Sequence, residues 1–211
     1  MGLLKGIDPL LTADVLHVLR SMGHGNKLVV CDCNFPAGAR LRPSPCILHF
    51  SFSRSGRYSQ LSHVLSAVGR GSAEIATHTT TGKHIVLTVP LPEALGAICS
   101  VLPLDYFVEA QAMYMAPQEG VDLPPAGVEV VSALKDEIAR RCGSDTRVDP
   151  IERFAFYEEA RGCFAVIQTM ERRPYGTVIL VKGCIGFDGN DLRPVTPYHC
   201  PMRTPGQSKT D

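Results

Sequence analysis

Residues 12–37, TADVLHVLRSMGHGNKLVVCDCNFPA, change their hydrophobic period within a few positions, and that change limits what the chain can fold into. Val15, Leu16, Leu19 and Met22 recur at helical spacing behind Thr12, a residue type that caps helix N-termini. Gly23 stops the pattern. KLVVCD then follows as a short apolar run rich in β-branched residues, which reads as a buried strand. A helix feeding so directly into a buried strand calls for helices layered on a sheet.

The alternation continues down the chain. PEALGAICSVL (92–102) opens with proline at a helix start. In 128–142, Val131, Leu134 and Ile138 form one stripe before a stop at Gly143, and IERFAFYEEARGC (151–163) reads as a further helix. The runs FAVIQTM and GTVILVKG read as strands. The expected fold is α/β: a single layered domain with helices packed on a mainly parallel or mixed sheet. It runs from 1 to 186 and is interrupted at about 38–72. That interruption holds Arg40, Arg42, Arg54, Arg57 and Arg70 and no acidic residue, whereas acids and bases interleave elsewhere. From Phe187 to Asp211 the composition turns to Pro, Gly and polar residues, as expected of a flexible tail.

Charge narrows the function. Lys plus Arg and Asp plus Glu are both 21, so the chain lacks the basic excess that grips nucleic acid or an acidic membrane. Neither partner is expected. No run of 18 apolar residues is present, and the N-terminus shows no charged head followed by an apolar stretch. The eight cysteines are scattered, and with no export signal they are expected to be reduced thiols in the cytoplasm.

The glycines around His24 do not make a dinucleotide site. That fingerprint follows a strand and opens a helix, whereas here a helix precedes and a strand follows, and Leu28 stands where a third glycine is needed. Cys31 and Cys33 would share one face of a strand, but no CxxC or HExxH accompanies them, so no metal is expected. No single cysteine is favoured as a nucleophile. His24 alone fits a histidine closing a helix C-terminus, where the dipole favours a cation. Asp32 fits either a ligand-binding carboxylate at the end of a strand or an Asx turn with Asn34-Phe35-Pro36. Asp105 fits a loop-ending acid, and Arg153 and Tyr157 fit packing and salt-bridge residues on an amphipathic helix.

Three stretches, KGIDPLLTADVLHVLRSMGHGNKLVVCDCNFPA, LPLDYFVEA and IERFAFYEEARGCFAVIQTMERRPYG, resemble the D-ribose pyranase and L-fucose mutarotase family. The likeness covers roughly residues 3–37, 74–118 and 125–186, and is nearer the L-fucose branch. It implies a small, cofactor-free α/β sugar mutarotase that assembles as a homo-oligomer, with pockets at subunit contacts. It further implies His24 as proton donor, with Asp105 and Tyr157 also on catalytic positions. Asp32, Arg153 and the Tyr175-Gly176 pair fall on substrate-binding positions. Thr177 stands where the family usually has asparagine, keeping a hydroxyl but losing the amide's paired donor and acceptor. Segment 38–72 has no counterpart in the resemblance.

The implied chemistry suits these residue types. A pyranose changes anomer by opening its ring, which needs one proton given to the ring oxygen and another taken from the anomeric hydroxyl. Histidine, with an ordinary pKa of about 6.5, exchanges protons near neutrality. The expected activity is interconversion of L-fucose anomers, with D-ribose or related pyranoses as further substrates. The alternative is an impaired sugar-binding or scaffold protein of the same fold.

Overall fold

The computed structural model describes residues 3–37 and 75–194. The expected insertion at 38–72 and residues 195–211 of the expected tail lie outside the described residues. The helices are α1 (Ala13–Ser21), α2 (Ile75–His78), α3 (Leu91–Ile98), α4 (Pro125–Cys142) and α5 (Arg153–Arg161). The strands are β1 (Lys27–Cys31), β2 (His84–Val86), β3 (Ala112–Ala116), β4 (Val148–Glu152), β5 (Ala165–Gln168) and β6 (Val178–Val181). They form one sheet in the order β2-β5-β1-β6-β3-β4.

The sheet is mixed in one particular way. β2, β5 and β1 pair in parallel, as do β3 and β4, while β6 runs antiparallel to both β1 and β3. Side chains alternate across the sheet, so one run feeds two cores. Leu28 and Val30 of β1 join α1, α3 and α4 on one face, centred on Val15, Leu95 and Leu134. Val29 and Cys31 face the other side with Phe35, Ile75, Phe156 and Tyr157. The expected α/β layers are therefore present on both faces.

Local chemistry explains where the elements begin and end. The Thr12 hydroxyl accepts from Val15 N at the start of α1, as a capping threonine does. α4 starts three residues before the expected 128, with Pro125 at its first turn, and closes on Gly143 at φ +116°. Several expectations need correction. Met22, in extended conformation, closes α1, so His24 stands beyond the cap. Cys31 is buried in β1, but Cys33 is exposed past its end, so the two cysteines do not share a strand face. The fourth expected helix begins only at Arg153, because Val148–Glu152 pair with β3 as a strand. Glu152 then turns its carboxylate onto Phe154 N and Ala155 N to start α5. Of the expected tail, residues 187–194 are described. Arg193 there donates to Cys142 O and to Tyr106 Oη, with its guanidinium 3.9 Å from the Tyr106 ring centre.

Candidate active site

The nominated residues fall into two groups at opposite ends of β1. At the N-terminal end, Gly23 N donates to Asn26 Oδ1 (2.7 Å) and Asn26 N to Gly23 O (3.1 Å), while Gly25 adopts φ +78°, a conformation that glycine takes freely. Gly25 N donates to Lys182 O and Lys182 N to Asn26 O, each at 2.8 Å, stitching the turn to the end of β6. The chain after α3 meets the same strand end: Asp105 N donates to Val181 O at 3.0 Å. A side chain at Gly183 would place its Cβ 2.2 Å from Leu104 O, so only glycine lets the two backbones approach this closely.

That approach delivers the Asp105 carboxylate to His24. Oδ1 accepts from Phe107 N at 2.9 Å, and Oδ2 lies 3.0 Å from His24 Nε2. The Asp105 side chain is 3% exposed and that of His24 50%. A buried carboxylate thus grips one ring nitrogen of a half-exposed imidazole. The Phe107 ring stands edge-on to the imidazole, 6.3 Å between centres.

The second group surrounds the C-terminal end of β1. Asp32 follows the strand directly and is 6% exposed. Its Oδ1 accepts from Asn34 N (2.8 Å), which is the expected Asx turn, and its Oδ2 accepts from the Thr177 hydroxyl (3.2 Å). Burial pushes the Asp32 carboxyl above its ordinary value. The Asn34, Thr177 and Phe35 hydrogen bonds oppose that shift, and the nearby Glu171 charge reinforces it. α5 presents Arg153 and Tyr157 one turn apart, with Arg153 Nε donating to Tyr157 Oη at 3.1 Å. Phe35 packs on the Tyr157 ring at 5.8 Å between centres. Asp32, Phe35, Met115, Arg153, Tyr157 and Tyr175 are among the residues lining a cavity of about 170 Å³.

Tyr175 is held at φ +65°, a left-handed conformation that a non-glycine residue adopts at some cost. Gly176 follows where a Cβ would come within 2.7 Å of Glu171 Cγ. Thr177 N donates back to Tyr175 O at 2.8 Å. Thr177 is fully buried, its hydroxyl at 3.2 Å from Asp32 and 3.4 Å from Asp32 N. The structure thus joins Asp32, Arg153, Tyr157, Tyr175, Gly176 and Thr177 in one region, and His24 with Asp105 in another.

Two further side chains carry no sequence signal. Gln168 Nε2 lies 3.2–3.3 Å from the carbonyls of Asp32, Cys33 and Phe35, and its Oε1 is 2.9 Å from His84 Nε2. It holds the turn after β1. Glu171, 4% exposed, pairs with Arg173, and its carboxyl is lowered to about 2 by the Arg173 guanidinium, against the effect of burial. Among the described residues no group of three or more His, Cys, Asp or Glu could hold a metal ion, and no helix is long and apolar enough to cross a membrane.

The molecule is thus a small α/β protein with a polar and aromatic cavity at the carboxyl end of β1, a parallel strand of its sheet. The family model described as the RbsD / FucU transport protein family matches residues 5–69 and 58–185, and the chain belongs to that family. It is 32% identical over 192 residues to the fucose mutarotase of Danio rerio, covering 88% of this chain and 96% of that one. It is also 32% identical over 181 residues to the L-fucose mutarotase of Actinobacillus pleuropneumoniae serotype 5b (strain L20), covering 86% and 96%. The crystal structure of the fucose mutarotase from Streptococcus pneumoniae in complex with L-fucose shares the fold, with a TM-score of 0.61 at 23% identity over 87% of this chain and all of that one.

Proposed function

We propose that this protein is a cytoplasmic monosaccharide mutarotase that interconverts the anomers of L-fucose, with D-ribose or related pyranoses as further substrates. The observation that carries the reading is the pairing of the half-exposed His24 with the buried Asp105, in a chain whose Asp32, Arg153, Tyr157 and Tyr175 line a cavity of about 170 Å³. The names of its relatives support it. Protonated His24 gives its proton to the ring oxygen as the C1–O5 bond breaks, and the proton of the anomeric hydroxyl leaves to a base, so the open sugar carries a C1 aldehyde. Rotation about C1–C2 and reclosure by the reverse transfers give the other anomer. Asp105 fixes the imidazole's tautomer and orientation. Tyr157 acts on the reacting oxygens, while Asp32, Arg153 and Tyr175 hold the remaining sugar hydroxyls, with Gly176 and Thr177 shaping the wall behind them. No cofactor takes part. Residues 1–186 form the working domain and 38–72 is a tolerated insertion.

His24 and Asp32 stand at opposite ends of β1, whose five residues alone span about 16 Å. One sugar cannot bridge that distance within a chain. The protein is therefore a homo-oligomer in which the His24–Asp105 pair of one subunit faces the Asp32 cavity of another. Saturation-transfer NMR between the two anomer signals of L-fucose, repeated with D-ribose, tests the activity. Exchange should exceed the uncatalysed rate. A folded protein that adds nothing to that rate is a sugar-binding or scaffold protein, a reading favoured by Thr177, whose hydroxyl is already engaged by Asp32. Mixing inactive His24→Ala with inactive Tyr157→Phe protein tests the shared site, and activity should return on subunit exchange. Persistent inactivity would mean each subunit's site is self-contained.

A further inference from the structure

We propose that the Glu171–Arg173 ion pair is a positioning device that sets both walls of the Asp32 cavity, an inference that rests on reading that cavity as the sugar site. Neither residue lines it. Glu171 is a buried carboxylate with every oxygen engaged: Oε1 accepts from Arg172 N (3.1 Å), Arg173 N (3.0 Å) and Arg173 Nε (2.8 Å), and Oε2 accepts from Arg173 Nη2 (2.8 Å). The Leu91 amide, at the start of α3, also helps hold its carboxyl below the usual value. A carboxylate so enclosed is not a sugar ligand. What it does is fix the chain around it.

Two walls hang on this residue. Its backbone O accepts from Cys33 N at 2.9 Å, which ties it to the turn that carries Asp32 and Phe35. Its Cγ lies under Gly176, where a methyl group would come within 2.7 Å, so the aliphatic stem is the floor on which Tyr175–Thr177 rests. Tyr175 is held in a left-handed conformation that surrounding structure must impose. The bidentate fork of Arg173 curls residues 171–173 tightly enough to do so, and it anchors the other end of the loop that Thr177 pins to Asp32. An ion pair serving stability alone would have no reason to touch both walls.

Glu171→Gln keeps volume and an acceptor for the backbone donors but removes the charged fork, and Arg173→Lys keeps charge without the fork. Saturation-transfer kinetics should show KM for L-fucose raised roughly tenfold in Glu171→Gln with kcat within about twofold, below the ~10²-fold cost of a full 1 Å misplacement. Arg173→Lys should fall between that variant and wild type. Hydrogen exchange in sugar-free protein should accelerate at 32–37 and 171–177 in both variants and stay at wild-type rates in β3. A folded Glu171→Gln protein with wild-type KM and unchanged exchange at 171–177 overturns the proposal. Should Glu171→Gln fail to fold, Arg173→Lys decides by the same two readouts. If wild-type protein turns over no sugar, the sugar reading falls, and the exchange measurement still decides whether the pair positions the loop.

Discussion

The two ends of β1 solve opposite problems. At the His24 end a half-exposed imidazole is gripped by one buried carboxylate, and the surroundings are backbone stitched to backbone. At the Asp32 end a buried carboxylate faces a cavity, surrounded by aromatic rings, a guanidinium and a strained tyrosine. In the proposed reading the first moves a proton and the second recognises a shape. The contrast teaches that proton transfer needs a single oriented group open to its reactant, whereas discrimination among hydroxyls needs many groups held still.

The sharpest way to break the contrast is His24→Ala. Loss of a positioned acid should lower kcat for anomer exchange by about 10²–10⁴ while sugar affinity stays within a few-fold, as measured by saturation transfer and equilibrium titration. Affinity falling in parallel with rate would mean that the two ends do not divide the work.

A smaller effect separates two carboxylates at the same end by their pH dependence. The Glu171 carboxyl is lowered from 4.5 to about 2, so its contribution is fully present above pH 4.5 and is lost as pH falls toward 2. At full value that is on the order of 3 kcal/mol, discounted because the Arg173 side chain is a third exposed. Urea midpoints measured from pH 6 down to 2 should fall steeply for wild type and with a shallower slope for Glu171→Gln.

Asp32 should behave in the reverse sense and more weakly. Its value is raised in the folded state, chiefly by burial, so folding gains at acid pH and that gain disappears as pH rises through the folded value. At neutrality the ionised carboxylate opposes folding. Asp32→Asn should therefore raise Tm at pH 7 while weakening sugar binding. A variant that lost both would show that the carboxylate serves the fold first.

The sequence carried the architecture wherever pattern and propensity agreed. Thr12 capped its helix, KLVVC became a strand buried on both faces, and the helices near 92 and 128 appeared within a few residues of expectation. Three strands were invisible for identifiable reasons. β2 is three residues long, and β3 is AMYMA, in which alanine and methionine give little strand signal. β4 is VDPIE, where Pro150 is tolerated because the strand lies at the sheet edge. Of the site, Asp32, Arg153, Tyr157 and Tyr175 gather round one cavity, and His24 meets Asp105 across 81 positions of chain. Gln168 and Glu171 were silent, since a single amide or carboxylate announces nothing until the carbonyls and amides it meets are brought to it by the fold.

Among the described strands β6 alone runs against its neighbours, and it gives the molecule a ruler. Thr177, just before its first residue, touches Asp32, and Val181, its last, receives Asp105 N. Four extended residues, about 13 Å of inextensible backbone, therefore fix the offset between the Asp105 end and the Asp32 end of the chain. In the proposed homo-oligomer that offset would set how the His24–Asp105 pair of one subunit meets the Asp32 cavity of another. Insertions elsewhere in the chain would leave the gauge untouched, whereas one residue added to β6 would shift the two ends against each other.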